Sequence, residues 1–238
     1  APLRKEWVEH CQGMVAEWRA EAAPLLNSDS TPIRPERICQ VFSDFLPSDA
    51  IVVADTMDLW INIAMNDLLS LLKRIDMLVL NDSEARQLTG DENVVSALPK
   101  LHKLGPRYVI VKKGEHGSIL SSRRGLFVAP AFPLAKVEDP TGAGDSFVGA
   151  MVGYLAKTGG SVDANIRKAI LYGSVVASFC CEGFGLNRTT KTTRSEINQR
   201  LRALEKISRP VNDGPRSCRG FNLFHGEDLD LFIAIMRG

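Results

Sequence analysis

The chain has 238 residues, 45% hydrophobic and 24% charged, enough apolar mass to bury one large or two modest cores. A formal net charge of +1 gives no electrostatic drive toward nucleic acid or an anionic membrane surface. The apolar runs are far shorter than the ~20 residues that span a bilayer, the opening residues APLRKEWVEH lack a signal-peptide core, and five cysteines without a C-x-x-C argue against a zinc site or disulfide framework. This is the composition expected of a reduced, cytoplasmic protein.

In chain order, Trp7, Cys11, Met14 and Trp18 recur at helical spacing and predict an amphipathic helix over residues 4–21. Pro32 and Pro35 open a second helix whose apolar face is Ile38, Val41, Phe42 and Phe45. Both stripes are expected to be buried, on the rest of the chain or on a second copy. A turn at 46–49 leads into a buried strand at 51–54. The pattern then alternates: a helix near 59–73, a strand at 77–80, and a short helix capped by Asp82 or Ser83 and ended by Gly90. A helix at 94–104 and a strand at 108–111 follow, then short strands at 118–121 and 126–128. Helices at 145–157 and 163–180 come next. Thr193 with Glu196 forms a capping box for a last helix reaching 207. Strands alternating with helices predict an α/β fold with a mostly parallel sheet flanked by helices. Residues 209–220, rich in proline, glycine and arginine, read as a linker to a short amphipathic tail at 226–238.

The run DPTGAGDSF, Asp139 to Phe147, carries the strongest chemical signal, because an apolar helix follows it directly. Gly142 and Gly144 let backbone N–H groups turn toward one point at a helix N-terminus, which favours a phosphoryl anion. An acidic group there opposes an incoming anion unless it has a task. Asp145 suits a base that takes a proton from an attacking hydroxyl. Read bare, the same residues are a glycine turn with a helix cap. Neither G-x-x-x-x-G-K-[ST] nor G-x-G-x-x-G is present, since Phe147 stands at the third glycine position. Asn81-Asp-Ser-Glu84 follows a strand, where ligands bind in open parallel sheets, and offers oxygens suited to hydrated magnesium. Lys112-Lys-Gly-Glu-His-Gly117 is a polar glycine turn after another strand.

NDSEARQLTG, VKKGEHGS and DPTGAGDSF, in that order, resemble the C-terminal half of the ribokinase/PfkB carbohydrate kinases. With VVADTMDLWI upstream and SFCCEGFG downstream, the resemblance spans about 52–207. It implies Asp145 as catalytic base, with the backbone of Gly142, Ala143 and Gly144 as anion hole. It implies that Asn81 and Glu84 position hydrated Mg2+, and that Lys112, Gly114, Gly117 and Thr141 line the ATP site, with Gly183 beside the adenine. Asp139 and Thr141 match positions where family members hold a monovalent cation such as K+. Pro140 replaces a commoner threonine. The family's N-terminal half, with the first strands of the sheet and most of the sugar pocket, finds no counterpart, so the ribokinase-like sheet is expected to be incomplete on that side.

Residues 4–55 instead resemble thiamine-diphosphate enzymes of the acetolactate synthase type, through EWRAEAAPLLNSDSTPIRPERICQVFSDFLPSDAIVVADT. Their cofactor-binding G-D-G motif does not follow. The expected organisation is a helical segment at 1–48, a kinase half at 49–208 and a linker with tail at 209–238. Three functions fit: an ATP-dependent kinase for a sugar or nucleoside-like alcohol, a nucleotide-binding module without turnover, and a structural fragment. The expected partner is a small molecule, with a possible homo-oligomer and neither nucleic acid nor membrane.

Overall fold

The computed structural model describes residues 2–31, 33, 37, 40–41, 44–47 and 49–208. The linker and tail, and Pro32, Pro35, Ile38 and Phe42 of the predicted second helix, lie outside the described residues. Helix α1 (Pro2–Leu26) forms as its spacing predicts. It is not seated on the sheet and its helices: Trp7, Met14 and Trp18 are 66%, 57% and 62% exposed. The stripe is flanked by Glu17, Arg19 and Glu21.

Five strands form one sheet in the order β1 (Val53–Asp55), β2 (Met77–Asn81), β3 (Tyr108–Lys112), β4 (Ser118–Ser122) and β5 (Gly125–Ala129). The first three run parallel, and β3–β4 and β4–β5 are antiparallel. The sheet is therefore mixed, parallel only on the side where helices make the connections. A short turn cannot return the chain for parallel pairing, so the tight links after β3 and β4 force hairpins.

Helices α2 (Asp58–Ile63) and α3 (Met65–Leu72) replace the single helix expected at 59–73. The break is at Ala64, whose N–H closes one helix on Trp60 while its carbonyl accepts from Leu68 of the next. Helices α4 (Asp82–Thr89) and α5 (Val94–Lys103) complete this layer. Ile61, Leu68, Leu72, Ala97, Leu98 and Leu101 pack on Leu78, Leu80, Val109 and Val111 of the sheet. On the other face α6 (Ala143–Thr158) and α7 (Val162–Cys180) bring Phe147, Met151, Ile166 and Ile170 against Met77, Val79, Tyr108 and Ile110. Helix α8 (Arg194–Ser208) covers α7 through Leu201 and Leu204, after the predicted Thr193–Glu196 capping box. Among the described residues no helix is long and apolar enough to cross a membrane.

The period-2 alternation of strand side chains positions the site. Asn81 has the parity of Met77 and Val79, Lys112 that of Tyr108 and Ile110, and Asp55 that of Val53. All three therefore project from the carboxyl ends of parallel strands toward the face that α6 covers.

Candidate active site

Helix α6 begins without a side-chain cap. Gly142, its N-cap, sits at φ 79°, ψ 2°, a left-handed conformation that costs a side-chain-bearing residue about 1 kcal/mol or more. Ala143 N–H bonds the Pro140 carbonyl at 3.1 Å and Ser146 N–H bonds Gly142 at 2.9 Å. The N–H groups of Gly144 and Asp145 have no partner among the described residues. Two unpaired donors in the first turn, together with the helix dipole, make a concentrated positive end. The Asp145 carboxylate, in the same turn, is exposed and makes no hydrogen bond or ion pair among the described residues.

Lys112 supplies a full positive charge at this point. A Cβ built on Gly144 would lie 3.1 Å from Lys112 Nζ, so the ammonium stands directly against the start of α6. Asp55, at the end of β1, holds that ammonium through both carboxylate oxygens, at 2.9 and 2.7 Å. Both side chains are only about a quarter exposed or less, 20% for Lys112 and 24% for Asp55.

Between these strand ends lies Glu84, 5% exposed. Its Oε2 accepts from Thr56 Oγ1 and from Asn81 N–H, both at 2.9 Å. Asn81 Oδ1 in turn accepts from Glu84 N–H at 2.8 Å, so Asn81 and Glu84 form a reciprocal capping box that starts α4. The cap is thus Asn81, one residue before the expected Asp82 or Ser83. Asp82 instead pairs with Arg86 on the helix surface. Burial raises the Glu84 pKa above its ordinary value, against the hydrogen bonds from Asn81 and Thr56 and the nearby Lys112 charge. Glu84 Oε1 has no hydrogen-bond partner, and the Asn81 amide N–H2 is also free among the described residues. That pair of polar groups fits the water shell of a magnesium ion, which keeps much of its hydration.

The other candidates surround this centre. Gly114 opens a 3₁₀ turn, Gly114–His116, and Gly117 closes it by donating to the Gly114 carbonyl at 3.1 Å. Thr141 lies in the glycine turn, where its N–H donates to Asp139 Oδ1 at 2.9 Å. Hydrogen bonds from Thr141 and from the Gly185 backbone hold the Asp139 carboxyl below its usual pKa. Glu138 N–H, donating to the Cys181 carbonyl at 2.9 Å, ties the turn to the loop around Gly183. That loop is stiffened by Arg188 and Arg200, which pair with Glu182 and Glu196 and lie over the Phe179 ring. A cleft of about 340 Å3 opens there, lined by Phe132, Phe179, Arg188 and Arg200. Its arginines are already paired, whereas the donors at the start of α6 are not. Among the described residues no cluster of three His, Cys, Asp or Glu side chains could hold a metal directly.

Sequence reasoning brought together Asn81, Glu84, Lys112, Gly144 and Asp145 without naming Asp55 or Thr56 as site residues. Both lie in the run VVADT, and the signal was an acid at a predicted strand end, the position also held by Asn81 and Lys112.

Comparison with known proteins places the chain. Residues 34–193, more than half of it, match the model of the pfkB family carbohydrate kinases. The chain belongs to that family. It is 36% identical over 134 residues to the bifunctional ribokinase/ribose-5-phosphate isomerase A of Fructilactobacillus sanfranciscensis, covering 54% of this chain and 24% of that protein. It is 38% identical over 98 residues to the cytidine kinase of Thermococcus kodakarensis, covering 40% of this chain and 34% of that one. Arabidopsis thaliana ribokinase, solved with ribose and ATP, superposes with a TM-score of 0.57 at 28% identity, over 70% of this chain and 52% of its own. The chain thus spans about a quarter to a third of these curated relatives and about half of the solved ribokinase. The fold is ribokinase-like, as the motifs implied. The family match begins at residue 34, inside the segment 4–55 whose second resemblance was noted above.

Proposed function

We propose that this chain carries the ATP-handling and phosphoryl-transfer site of a pfkB-type kinase, acting on a hydroxyl of a sugar or nucleoside-like substrate. The carrying observation is the start of α6: two unpaired N–H donors, the Lys112 ammonium against Gly144, and an uncommitted Asp145 carboxylate in the same turn. The relatives support the substrate class, being kinases of ribose and cytidine, and the Arabidopsis enzyme was solved with ATP.

The unpaired N–H groups of Gly144 and Asp145, presented by the turn at Gly142 and Ala143, and the Lys112 ammonium hold the terminal phosphate and oppose the charge that builds on it during transfer. Asp145 takes the proton of the acceptor hydroxyl as its oxygen bonds to phosphorus and the bond to the departing ADP oxygen breaks. Asn81 and Glu84 would hold the water shell of Mg2+, which would supply neutralisation of phosphate charge. Gly114, Gly117 and the loop at Gly183 border the nucleotide. Asp139 holds the glycine turn in place by accepting from Thr141 N–H. A second reading, nucleotide binding without turnover, draws on the chain spanning only about half of the solved ribokinase.

Turnover against a panel of sugars and nucleosides separates the two. General-base catalysis contributes about 10²- to 10⁴-fold, so Asp145→Asn is expected to lose turnover on that scale with ATP affinity within about twofold. An Asp145→Asn enzyme with full turnover contradicts the assignment, and a wild-type chain that binds ATP but transfers to nothing selects the second reading.

A further inference from the structure

The Asp55–Lys112 pair is the one ion pair at the mouth of the site, and it is built differently from the surface pairs around it. Arg86–Asp82, Lys100–Asp91 and Arg107–Asp76 each have a cation at least 42% exposed, whereas Lys112 is 20% exposed. Both oxygens of Asp55 face the ammonium. Three hydrogens on a lysine nitrogen allow one to three acceptors. With two contacts to Asp55 and its nitrogen pressed against Gly144, Lys112 is largely satisfied by its own chain. The positive charge nearest to the unpaired N–H groups of Gly144 and Asp145 is therefore neutralised by Asp55.

We infer that Asp55 is a positioning residue that serves as a resting counter-ion. It holds Lys112 over the start of α6, and an arriving polyphosphate takes Lys112 over from it. This rests on the nucleotide reading above. The exchange follows from charge bookkeeping in a partly buried site. A lone ammonium against a helix N-terminus is repelled by the dipole and by its own desolvation. Asp55 removes that penalty in the empty protein and aims the lysine. A phosphate needs the same ammonium hydrogens and is drawn by the same donors. Asp55 and that phosphate then carry like charges beside one nitrogen, so each weakens the hold of the other. Asp55 should therefore reduce polyphosphate affinity while keeping Lys112 in place. Thr56, the next residue, holds Glu84 through its hydroxyl, so the end of β1 is tied to both the lysine and the magnesium-facing carboxylate.

The test is a double-mutant cycle read by calorimetric titration of ATP, and separately of tripolyphosphate, without divalent cation. Asp55→Asn keeps the shape and one acceptor but removes the charge. It is expected to tighten binding by about fivefold, the scale of a partly exposed ion pair. In the Lys112→Met background the same substitution should tighten binding less, because only the like-charge repulsion is relieved and no ammonium remains to be released. Thermal melting of each variant reports that it is folded. Asp55→Asn that weakens binding, leaves it unchanged, or tightens it equally with and without Lys112 overturns the exchange while the nucleotide reading stands. Wild-type protein that binds neither ATP nor tripolyphosphate overturns both.

Discussion

Glu84 is a carboxylate at 5% exposure with one oxygen shared between two donors and the other unpaired. Burial raises its pKa above the ordinary 4.5, so the folded state holds its proton more tightly than the unfolded chain. The sign follows from linkage: Glu84 costs the fold nothing below about pH 4.5 and destabilises it increasingly as pH rises through the folded pKa. Glu84→Gln carries no such proton. The melting temperature of the Gln variant relative to wild type should therefore increase from pH 4 to pH 8, and added Mg2+ should narrow the gap by stabilising wild type alone. A difference independent of pH, or unaffected by magnesium, would reduce the Asn81–Glu84 motif to a helix cap. At this scale the sequence showed which residue types were at hand but not their partners. The capping box itself was visible in N-D-S-E, yet its true first residue was Asn81, because a strand's last residue can also cap the next helix. Asp55 and Thr56 could not be linked to Lys112 and Glu84 from spacing, since those contacts join residues 57 and 28 positions apart.

Helices α6 and α7 carry the glycine turn on their packing. Gly173 of α7 lies so close to α6 that an added Cβ would stand 2.7 Å from the Phe147 carbonyl oxygen and 3.1 Å from its ring. Phe147 is two residues beyond Asp145, so this approach sets how the first turn of α6 rests on the sheet. Gly173→Ala must part the two helices or distort α6, at about 1–3 kcal/mol for overpacking. The expected loss of melting temperature is roughly 3–8 °C, with weakened ATP binding because the anion-facing donors move with the turn. A stable variant with unchanged ATP affinity would show that the helix spacing does not govern the site. Most elements were legible from periodicity and turn residues, including the hairpin strands around Gly125. The mixed sheet was less so: pairing direction depends on how the chain returns, and a five-residue turn after β3 reads locally like any loop. The division of residues 59–73 into two helices at Ala64 has no breaker residue to announce it.

As a whole molecule the chain is a ribokinase-like half-sheet with apolar surface left uncovered on one side. Strand β1 is an edge. Ile51, Met57, Trp60 and Ile63 beside it are 48%, 56%, 48% and 67% exposed, and Trp7, Met14 and Trp18 of α1 are exposed as well. Within one chain α1 does not close over the sheet, as Trp7, Met14 and Trp18 stand exposed, which leaves a second copy as the other expected cover for its stripe. The parallel strand ends, by contrast, deliver Asp55, Asn81 and Lys112 to one place, as open α/β sheets do for ligand sites. The central claim is that the start of α6, and not the arginine-lined cleft beside α8, receives the nucleotide. A crystal structure with Mg2+ and a non-hydrolysable ATP analogue tests it most directly. The account predicts the terminal phosphate on the N–H groups of Gly144 and Asp145 with Lys112 Nζ turned from Asp55 toward it. A nucleotide whose phosphates lie instead against Arg188 and Arg200, with the Asp55–Lys112 pair intact, would contradict it.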